Sequence, residues 1–129
     1  MTVVAPAPVE QEQLGLIQGK TPDSIEEYWV AQSLYKERIP FMYQYQLMGG
    51  KSRRGGIILD FLVFNPMGIP LPVHGKYWHM GELDGGDKTA LIVIADFFNI
   101  GIENIPILWA GDSTSEQDVR TFIKKNFVR

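Results

Sequence analysis

The first half of the chain alternates between helix-like and strand-like patterns of apolar residues. Residues 21–36 begin with Thr-Pro-Asp-Ser, which predicts a helix capped by Thr21 with Pro22 at its first position, and then repeat apolar side chains at helical spacing. Residues 41–47 alternate with a period of two, which predicts a half-buried strand. Residues 57–64 are apolar on both faces apart from Asp60, so this strand is expected at the centre of the sheet. The apolar stripe of the helix consists of Ile25, Trp29 and Leu34, with Tyr28 and Tyr35 beside it.

The second half of the chain predicts two further strands and two further helices. Residues 69–77 read as a third strand, but Pro70 and Pro72 favour an edge position or an interrupted ladder. The apolar run that ends at residue 100 is long enough to favour a buried helix over a strand. Residues 105–109 predict a short strand, and a Ser-Thr-Ser cap signal predicts a final helix that ends near residue 127.

These elements give the order α-β-β-β-α-β-α, which is typical of an α/β domain. Residues 1–20 are rich in Ala, Pro, Glu and Gln without a clear period, and we expect them to form a flexible N-terminal tail. Residues 21–129 then form one domain, because a chain of 129 residues is too short for two ordinary hydrophobic cores.

Composition excludes several kinds of site and partner. The chain has 12 basic and 15 acidic side chains and a net charge of −3, so a polyanion would need a local basic patch. It contains no cysteine, which excludes disulfides, thiolate zinc sites and cysteine nucleophiles. The N-terminus has no basic region of a secretory signal, and no apolar window approaches the roughly 18 to 20 residues that span a bilayer. We therefore expect a cytoplasmic protein with no membrane partner.

The residues with the strongest chemical character lie between positions 55 and 79. Asp60 interrupts an apolar strand, and a buried carboxylate is costly unless it is paired, hydrogen-bonded or bound to a metal. Both histidines of the chain, His74 and His79, fall in one heptapeptide, Val-His-Gly-Lys-Tyr-Trp-His. Phosphodiester hydrolysis uses a hard cation on carboxylate oxygens and a group that titrates near neutral pH as acid or base. An aspartate and a histidine suit that chemistry with Mg²⁺ or Mn²⁺.

The same residues resemble a family of nucleases. The heptapeptide at positions 73–79 resembles the hallmark strand of the very-short-patch mismatch-repair endonucleases, and the preceding Gly-Gly, three apolar residues and Asp60-Phe61 resemble that family's metal-binding strand. A similar pattern, described by a Glu, Asp, His, Asp signature, occurs in phage-type nucleases and homing endonucleases. The resemblance covers roughly residues 21–127. It implies a restriction-endonuclease-like three-layer core with a mixed sheet, a Mg²⁺ or Mn²⁺ cofactor and DNA as the substrate.

Carried over position by position, the resemblance implies roles for four residues of this stretch. Asp60 would be the central metal ligand, and the backbone carbonyl of Val73 would be a further ligand. His79 would be the main catalytic histidine and act as general acid or base. His74 would be an auxiliary that contacts the scissile phosphate or a metal-bound water.

Two acidic residues complete the implied catalytic set. Glu26 matches the first-helix glutamate that orients the site, and its neighbour Glu27 is the alternative. Asp87 would be the last acidic member, although its spacing to Gly101 is about a helical turn longer than the family pattern. Both Glu26 and Asp87 also have an ordinary explanation, because acidic side chains near a helix start are stabilised by the helix dipole.

The chain departs from the resemblance in two respects. The mismatch-repair enzymes carry a zinc with cysteine ligands and an aromatic N-terminal segment, and this chain shows neither, so mismatch recognition is not implied. The wider superfamily places Glu-x-Lys or Glu-x-Gln on the third strand, where this chain has Pro72-Val73-His74. The site is therefore complete only as a histidine-type site.

Contacts with DNA are expected from a glycine-rich basic loop. Lys51, Arg53 and Arg54 lie among four glycines and could approach a phosphate backbone closely, while a solubilising loop is the alternative. A single site per chain that cuts both strands would call for a homodimer. The sequence thus predicts a magnesium-dependent endodeoxyribonuclease of a bacterial or phage-infected cell. The alternative is a catalytically inactive nuclease-like fold that acts as a DNA-binding or phage assembly module.

Overall fold

The structure is a computed structural model that describes residues 15–47, 57–65, 67–74, 85–109 and 115–128, together with Ala5. The side chains of residues 74 and 85–89 lie outside this description. In chain order, the described elements are α1 (Ile25–Lys36), β1 (Phe41–Leu47), β2 (Ile57–Phe64), β3 (Gly68–Leu71), β4 (Val73–His74), α2 (Gly85–Phe98), a short 3₁₀ helix (Ile102–Asn104), β5 (Leu108–Trp109) and α3 (Glu116–Phe127).

Three of the strands form an antiparallel sheet with β2 between β1 and β3. The predicted central position of residues 57–64 is therefore confirmed, as is the mixed α/β class. The prolines have both predicted effects, because β3 lies at the edge of this sheet and the strand is interrupted at Pro72. After Pro72, β4 leaves the sheet and pairs in parallel with β5, with Val73 opposite Leu108.

Helices lie on both faces of the sheet. We call the side covered by α1 and α3 the α1–α3 face, and the side covered by α2 the α2 face. The α1–α3 face buries Val30, Ala31, Leu34, Val119, Ile123 and Phe127 against Phe41, Tyr43, Phe61 and Val63. The α2 face buries Leu91, Ile94 and Ala95 against Leu47, Leu59, Leu62 and Phe64. The predicted helix in the apolar run before residue 100 is confirmed as α2.

The start and the buried side of α1 differ from the prediction. Ser24, rather than Thr21, caps the helix, and its Oγ accepts a hydrogen bond from the Glu27 amide at 3.2 Å. Ile25 was expected in the buried stripe but is 54% exposed. The buried positions are instead Glu27, Val30, Ala31, Ser33 and Leu34. Because the cap at Ser24 places Ile25 in the first turn, the i, i+3, i+4, i+7 pattern of burial starts at Glu27.

The chain begins to contribute to the core before the predicted domain start at Thr21. Residues 15–20 contain a tight turn with positive φ at both central residues, a geometry typical of a type I′ turn, and Ile17 is 0% exposed. The Gln18 side chain extends the hydrogen bonding of the β1 edge, because it accepts from the Tyr43 amide at 2.9 Å and donates to the Phe41 carbonyl at 2.7 Å. The folded part of the chain therefore includes Ile17.

The paired strands β1 and β2 exchange faces at Gln44 and Asp60. Phe61 contributes to the α1–α3 face, but Leu59 contributes to the α2 face, although residues two apart in a regular strand point to the same side. Their partners in β1 are divided in the same way. Gln44 has a φ of 54°, in the left-handed region, and the paired positions of β1 and β2 omit Gln44 and Asp60. Asp60 thus lies at the boundary between the two faces.

The C-terminal elements follow the predicted order. The helix α3 begins as predicted after Ser115, whose Oγ accepts a hydrogen bond from the Asp118 amide at 3.2 Å. The last strand is shorter than the predicted segment 105–109, because β5 consists of Leu108 and Trp109 alone. Within the described ranges, no helix has the length and apolar character needed to cross a membrane.

Candidate functional site

Asp60 lies beside the break between β3 and β4. Phe61 pairs with Leu71, so the residue opposite Asp60 would be Pro72, which has no amide hydrogen to donate. The Asp60 side chain instead contacts the residue after Pro72: its Oδ2 accepts a hydrogen bond from the Val73 amide at 2.8 Å. The two residues predicted to hold the metal, Asp60 and Val73, are therefore in direct contact.

A second carboxyl group reaches this region from the first turn of α1. Glu27 is 6% exposed, and both of its carboxyl oxygens face hydroxyl groups. Its Oε1 accepts from the Tyr43 hydroxyl at 2.5 Å, and its Oε2 accepts from Ser24 Oγ at 3.4 Å. The Tyr43 hydroxyl in turn accepts a hydrogen bond from the Asp23 amide at 3.2 Å. The hydroxyl of Tyr43 thus connects the chain before α1 to the Glu27 carboxyl group.

The electrostatics of Glu27 depend on burial and on Asp60. The pKa of Glu27 is raised from 4.5 to about 7, and burial is the largest cause. The hydrogen bonds from Tyr43 and Ser24 lower this pKa, whereas the negative charges of Asp60 and Asp23 raise it. Burial and the bond to Glu27 also raise the pKa of the Tyr43 hydroxyl, which therefore stays protonated and donates. Near neutral pH, Glu27 is divided between its neutral and its charged form.

A cavity of about 180 Å³ adjoins Asp60 on the α2 face. It is large enough for several water molecules, since each occupies about 30 Å³ in the liquid. The backbone of Asp87 belongs to the first turn of α2, at positions i−3, i−4 and i−7 from three residues that line the cavity. This spacing places position 87 on the cavity side of the helix. The lining residues are Ile57, Ile58, Leu59, Asp60, Pro72, Ala90, Leu91 and Ile94.

Most of the other predicted site residues lie outside the described part of the chain. This applies to His79 and to the basic loop of Lys51, Arg53 and Arg54, and also to the side chains of His74 and Asp87. Their roles stay predictions. Among the residues that are described, no three His, Cys, Asp or Glu side chains are grouped so that they could hold a metal ion.

The structure distinguishes the two neighbouring glutamates of the first helix turn. Glu26 is only partly buried, whereas Glu27 is buried and influenced by the charge of Asp60. Two signals in the sequence could have identified Glu27. Ser24-x-x-Glu27 is a capping-box pattern, and Glu27 precedes Val30, Ala31 and Leu34 by three, four and seven residues.

The role of Tyr43 was not predicted from the sequence. Within the alternating pattern of β1, this tyrosine has the same spacing as a purely apolar core residue.

Comparisons with protein-family models, with curated proteins and with solved structures find no match to this chain.

Proposed function

We propose that this protein is a metal-dependent DNA endonuclease whose site is centred on Asp60. The hydrogen bond between Asp60 and the Val73 amide is the observation that carries the proposal. It joins the strand that resembles the metal-binding strand of the nucleases to the first residue of the histidine heptapeptide. The buried carboxyl group of Glu27, influenced by Asp60, adds a second acidic side chain to the same region.

The oxygen atoms at this position suit a hard divalent cation. Mg²⁺ and Mn²⁺ prefer carboxylate and carbonyl oxygens, and Asp60 and Val73 would supply one of each. The negative charge of Asp60 contributes to the raised pKa of Glu27, and a bound cation would offset this repulsion. When bound, the cation would supply stabilisation of charge on the phosphate and a lowered pKa of water.

The remaining roles fall to side chains of this chain. We assign the orienting role of the first-helix glutamate to Glu27 rather than Glu26, because Glu27 is the one that is buried and coupled to Asp60. His79 would transfer the proton at the attacking or the leaving oxygen, with His74 as its auxiliary. Asp87 would approach the site from the first turn of α2.

The energetics of Glu27 also favour a functional role. A buried carboxyl group whose pKa lies near 7 destabilises the fold whenever it ionises, and such groups concentrate at functional sites. The fold is compatible with the proposal as well. In the described part of the chain, helices lie on both faces of a sheet, as a three-layer core requires, but the three-stranded sheet is antiparallel rather than mixed.

One observation favours a second candidate function, a catalytically inactive nuclease-like fold that binds DNA or takes part in phage assembly. The contact between Asp60 and Val73 also has a structural explanation, because it satisfies the amide that follows Pro72. The net charge of −3 fits this alternative too, since a protein that acts on DNA usually needs a positive surface.

Cleavage of supercoiled plasmid in Mg²⁺ or Mn²⁺ distinguishes the two candidates. We expect the wild type to nick the plasmid, Asp60→Ala and His79→Ala to abolish nicking, and Asp96→Ala to retain it, because Asp96 is an exposed residue of α2. Nicking that survives both Asp60→Ala and His79→Ala would refute the proposed site. If the wild type cleaves no form of DNA, the inactive module is the better description.

A further inference from the structure

We infer that Tyr43 is a positioning residue of the proposed site: its hydroxyl group fixes the orientation of the Glu27 carboxyl group. This inference rests on the proposed function for its role in cleavage, but the contact that it describes can be tested separately. Tyr43 would act through Glu27, because the described contacts of its hydroxyl are with Glu27 and the Asp23 amide.

Tyr43 is held firmly enough to position another side chain. It is 4% exposed, and its ring packs against the ring of Phe61 with 5.0 Å between the centroids. Its backbone amide donates to Gln18 Oε1 at 2.9 Å, outside the sheet ladder. The hydroxyl accepts a hydrogen bond from the Asp23 amide and donates one to the carboxyl group of Glu27. The backbone, the ring and the hydroxyl are thus each fixed by a different neighbour.

Glu27 depends on this hydroxyl for its orientation. Its bond to Tyr43 is 2.5 Å long, whereas its other described side-chain contact, with Ser24 Oγ, is 3.4 Å and close to the limit of a hydrogen bond. Without the Tyr43 hydroxyl, only that longer contact would remain among those described. The carboxyl group would then be free to rotate about its side-chain bonds. Groups that orient an acidic residue in this way affect a metal site although they do not touch the metal.

Tyr45 provides a matched control within the same strand. It lies two residues after Tyr43, but the exchange of faces at Gln44 places it on the α2 face, where it is partly buried. Tyr43→Phe and Tyr45→Phe each remove one hydroxyl and keep the ring. A difference between the two variants would therefore report the hydroxyl contact with Glu27, and not the general loss of a tyrosine.

The first test compares cleavage by Tyr43→Phe, Tyr45→Phe, Glu27→Gln and the double variant Tyr43→Phe/Glu27→Gln. We expect Tyr43→Phe to lower kcat by about 10- to 100-fold with little change in KM for DNA, as is typical of residues that orient a metal site. We expect Tyr45→Phe to behave like the wild type. The double variant should cleave no more slowly than Glu27→Gln alone, because Tyr43 acts through Glu27. Losses that simply multiply would overturn the inference.

The second test does not depend on cleavage. Carbon-13 NMR of the Glu27 carboxyl group should show a higher pKa in Tyr43→Phe, because a hydrogen bond that favours the charged form is lost, and no change in Tyr45→Phe. An unchanged Glu27 pKa in folded Tyr43→Phe would overturn the inference even if the protein is a nuclease. If the wild type cleaves no DNA, the proposed function fails, and this titration still decides whether Tyr43 holds Glu27.

A measurement on the wild type covers the case in which Tyr43→Phe does not fold. A buried hydroxyl that donates to a carboxyl group at 2.5 Å should exchange its proton slowly and give a separate proton resonance at low field. We expect this resonance in the wild type, and we expect it to shift or disappear in Glu27→Gln. A Tyr43 hydroxyl proton that exchanges as fast as those of exposed tyrosines would overturn the inference.

Discussion

The two faces of the three-stranded sheet are packed by different kinds of residue. The α2 face buries aliphatic and aromatic side chains together with one alanine, and it adjoins the cavity beside Asp60. The α1–α3 face also has an apolar core, but the carboxyl group of Glu27 and the hydroxyl of Tyr43 are buried within it. Asp60 lies at the boundary between the faces, where β1 and β2 exchange sides.

This difference shows that the fold buries the carboxyl group of Glu27 on the face that can hydrogen-bond it. A buried carboxyl group needs hydrogen-bond donors, and the start of α1 together with β1 supplies two hydroxyl groups for Glu27. The α2 face contributes space next to Asp60, which its apolar helix leaves as a cavity. In the proposed site, the α1–α3 face thus holds the carboxyl group of Glu27, and the α2 face provides the cavity beside Asp60. The following variants test that division.

The largest effects are expected for the neighbouring residues Phe61 and Leu62, which are fully buried on opposite faces. Phe61→Ala should lower the free energy of unfolding by about 3–5 kcal/mol and Leu62→Ala by about 2–5 kcal/mol, because each leaves a cavity. Only Phe61→Ala should also weaken the dependence of stability on pH, since the Phe61 ring packs against Tyr43. Urea unfolding at pH 5 and pH 8 measures both quantities. An equal change of the pH dependence in Leu62→Ala would contradict the division between the faces.

The next effect concerns the charge of Glu27. Its pKa is about 7 in the folded protein and 4.5 in the unfolded chain, so between these values the unfolded state loses its proton first. The stability from the neutral group is therefore complete below pH 4.5 and is lost as the pH rises through 7. At about 1.4 kcal/mol per pH unit, the loss amounts to roughly 3 kcal/mol. The negative charges of Asp60 and Asp23 increase this loss of stability because they raise the pKa of Glu27. The hydrogen bonds from Tyr43 and Ser24 reduce the loss because they lower that pKa.

Glu27→Gln removes this loss because an amide does not ionise. We expect the variant to resemble the wild type near pH 4 and to be more stable at pH 8 by up to roughly 3 kcal/mol. Glu26→Gln is the matched control, and as a partly exposed substitution it should stay within about 0.5 kcal/mol of the wild type at both values. Urea unfolding curves between pH 4 and pH 8 provide the measurement. A Glu27→Gln variant that gains no stability over the wild type between pH 4 and pH 8 would show that Glu27 is not held in its neutral form.

Much of the fold follows from local patterns that the sequence displays directly. The period of two in β1 and the apolar run of β2 determine their bounds, and Pro72 ends β3 because proline cannot donate to the ladder. The length of the apolar run before residue 100 was sufficient to predict α2. These features depend on a few neighbouring residues, so no knowledge of the tertiary structure was needed.

The candidate site was predictable only in part. Asp60 stands out because a charge interrupts an apolar strand, and it contacts Val73, the other predicted metal ligand, through the Val73 amide rather than the carbonyl. The choice between Glu26 and Glu27 depends on where the helix cap falls, and the cap was predicted three residues too early. The role of Tyr43 depends on contacts with residues 16 and 20 positions earlier in the chain, which no local pattern encodes.

The smallest expected effect on stability concerns Gln44, the position at which β1 changes from one face of the sheet to the other. Its φ of 54° is disfavoured for most side chains and especially for a β-branched one, so Gln44→Val should cost about 1–2 kcal/mol of stability. Gln44→Gly loses the same exposed bond to Asp23 but accepts this φ without strain, and the difference between the two variants isolates the backbone effect. Gln46→Val, at an exposed position of the same strand, should be nearly neutral. Equal stabilities of Gln44→Val and Gln44→Gly would show that β1 runs regularly through this position, and Leu59 and Phe61 would then have to share a face.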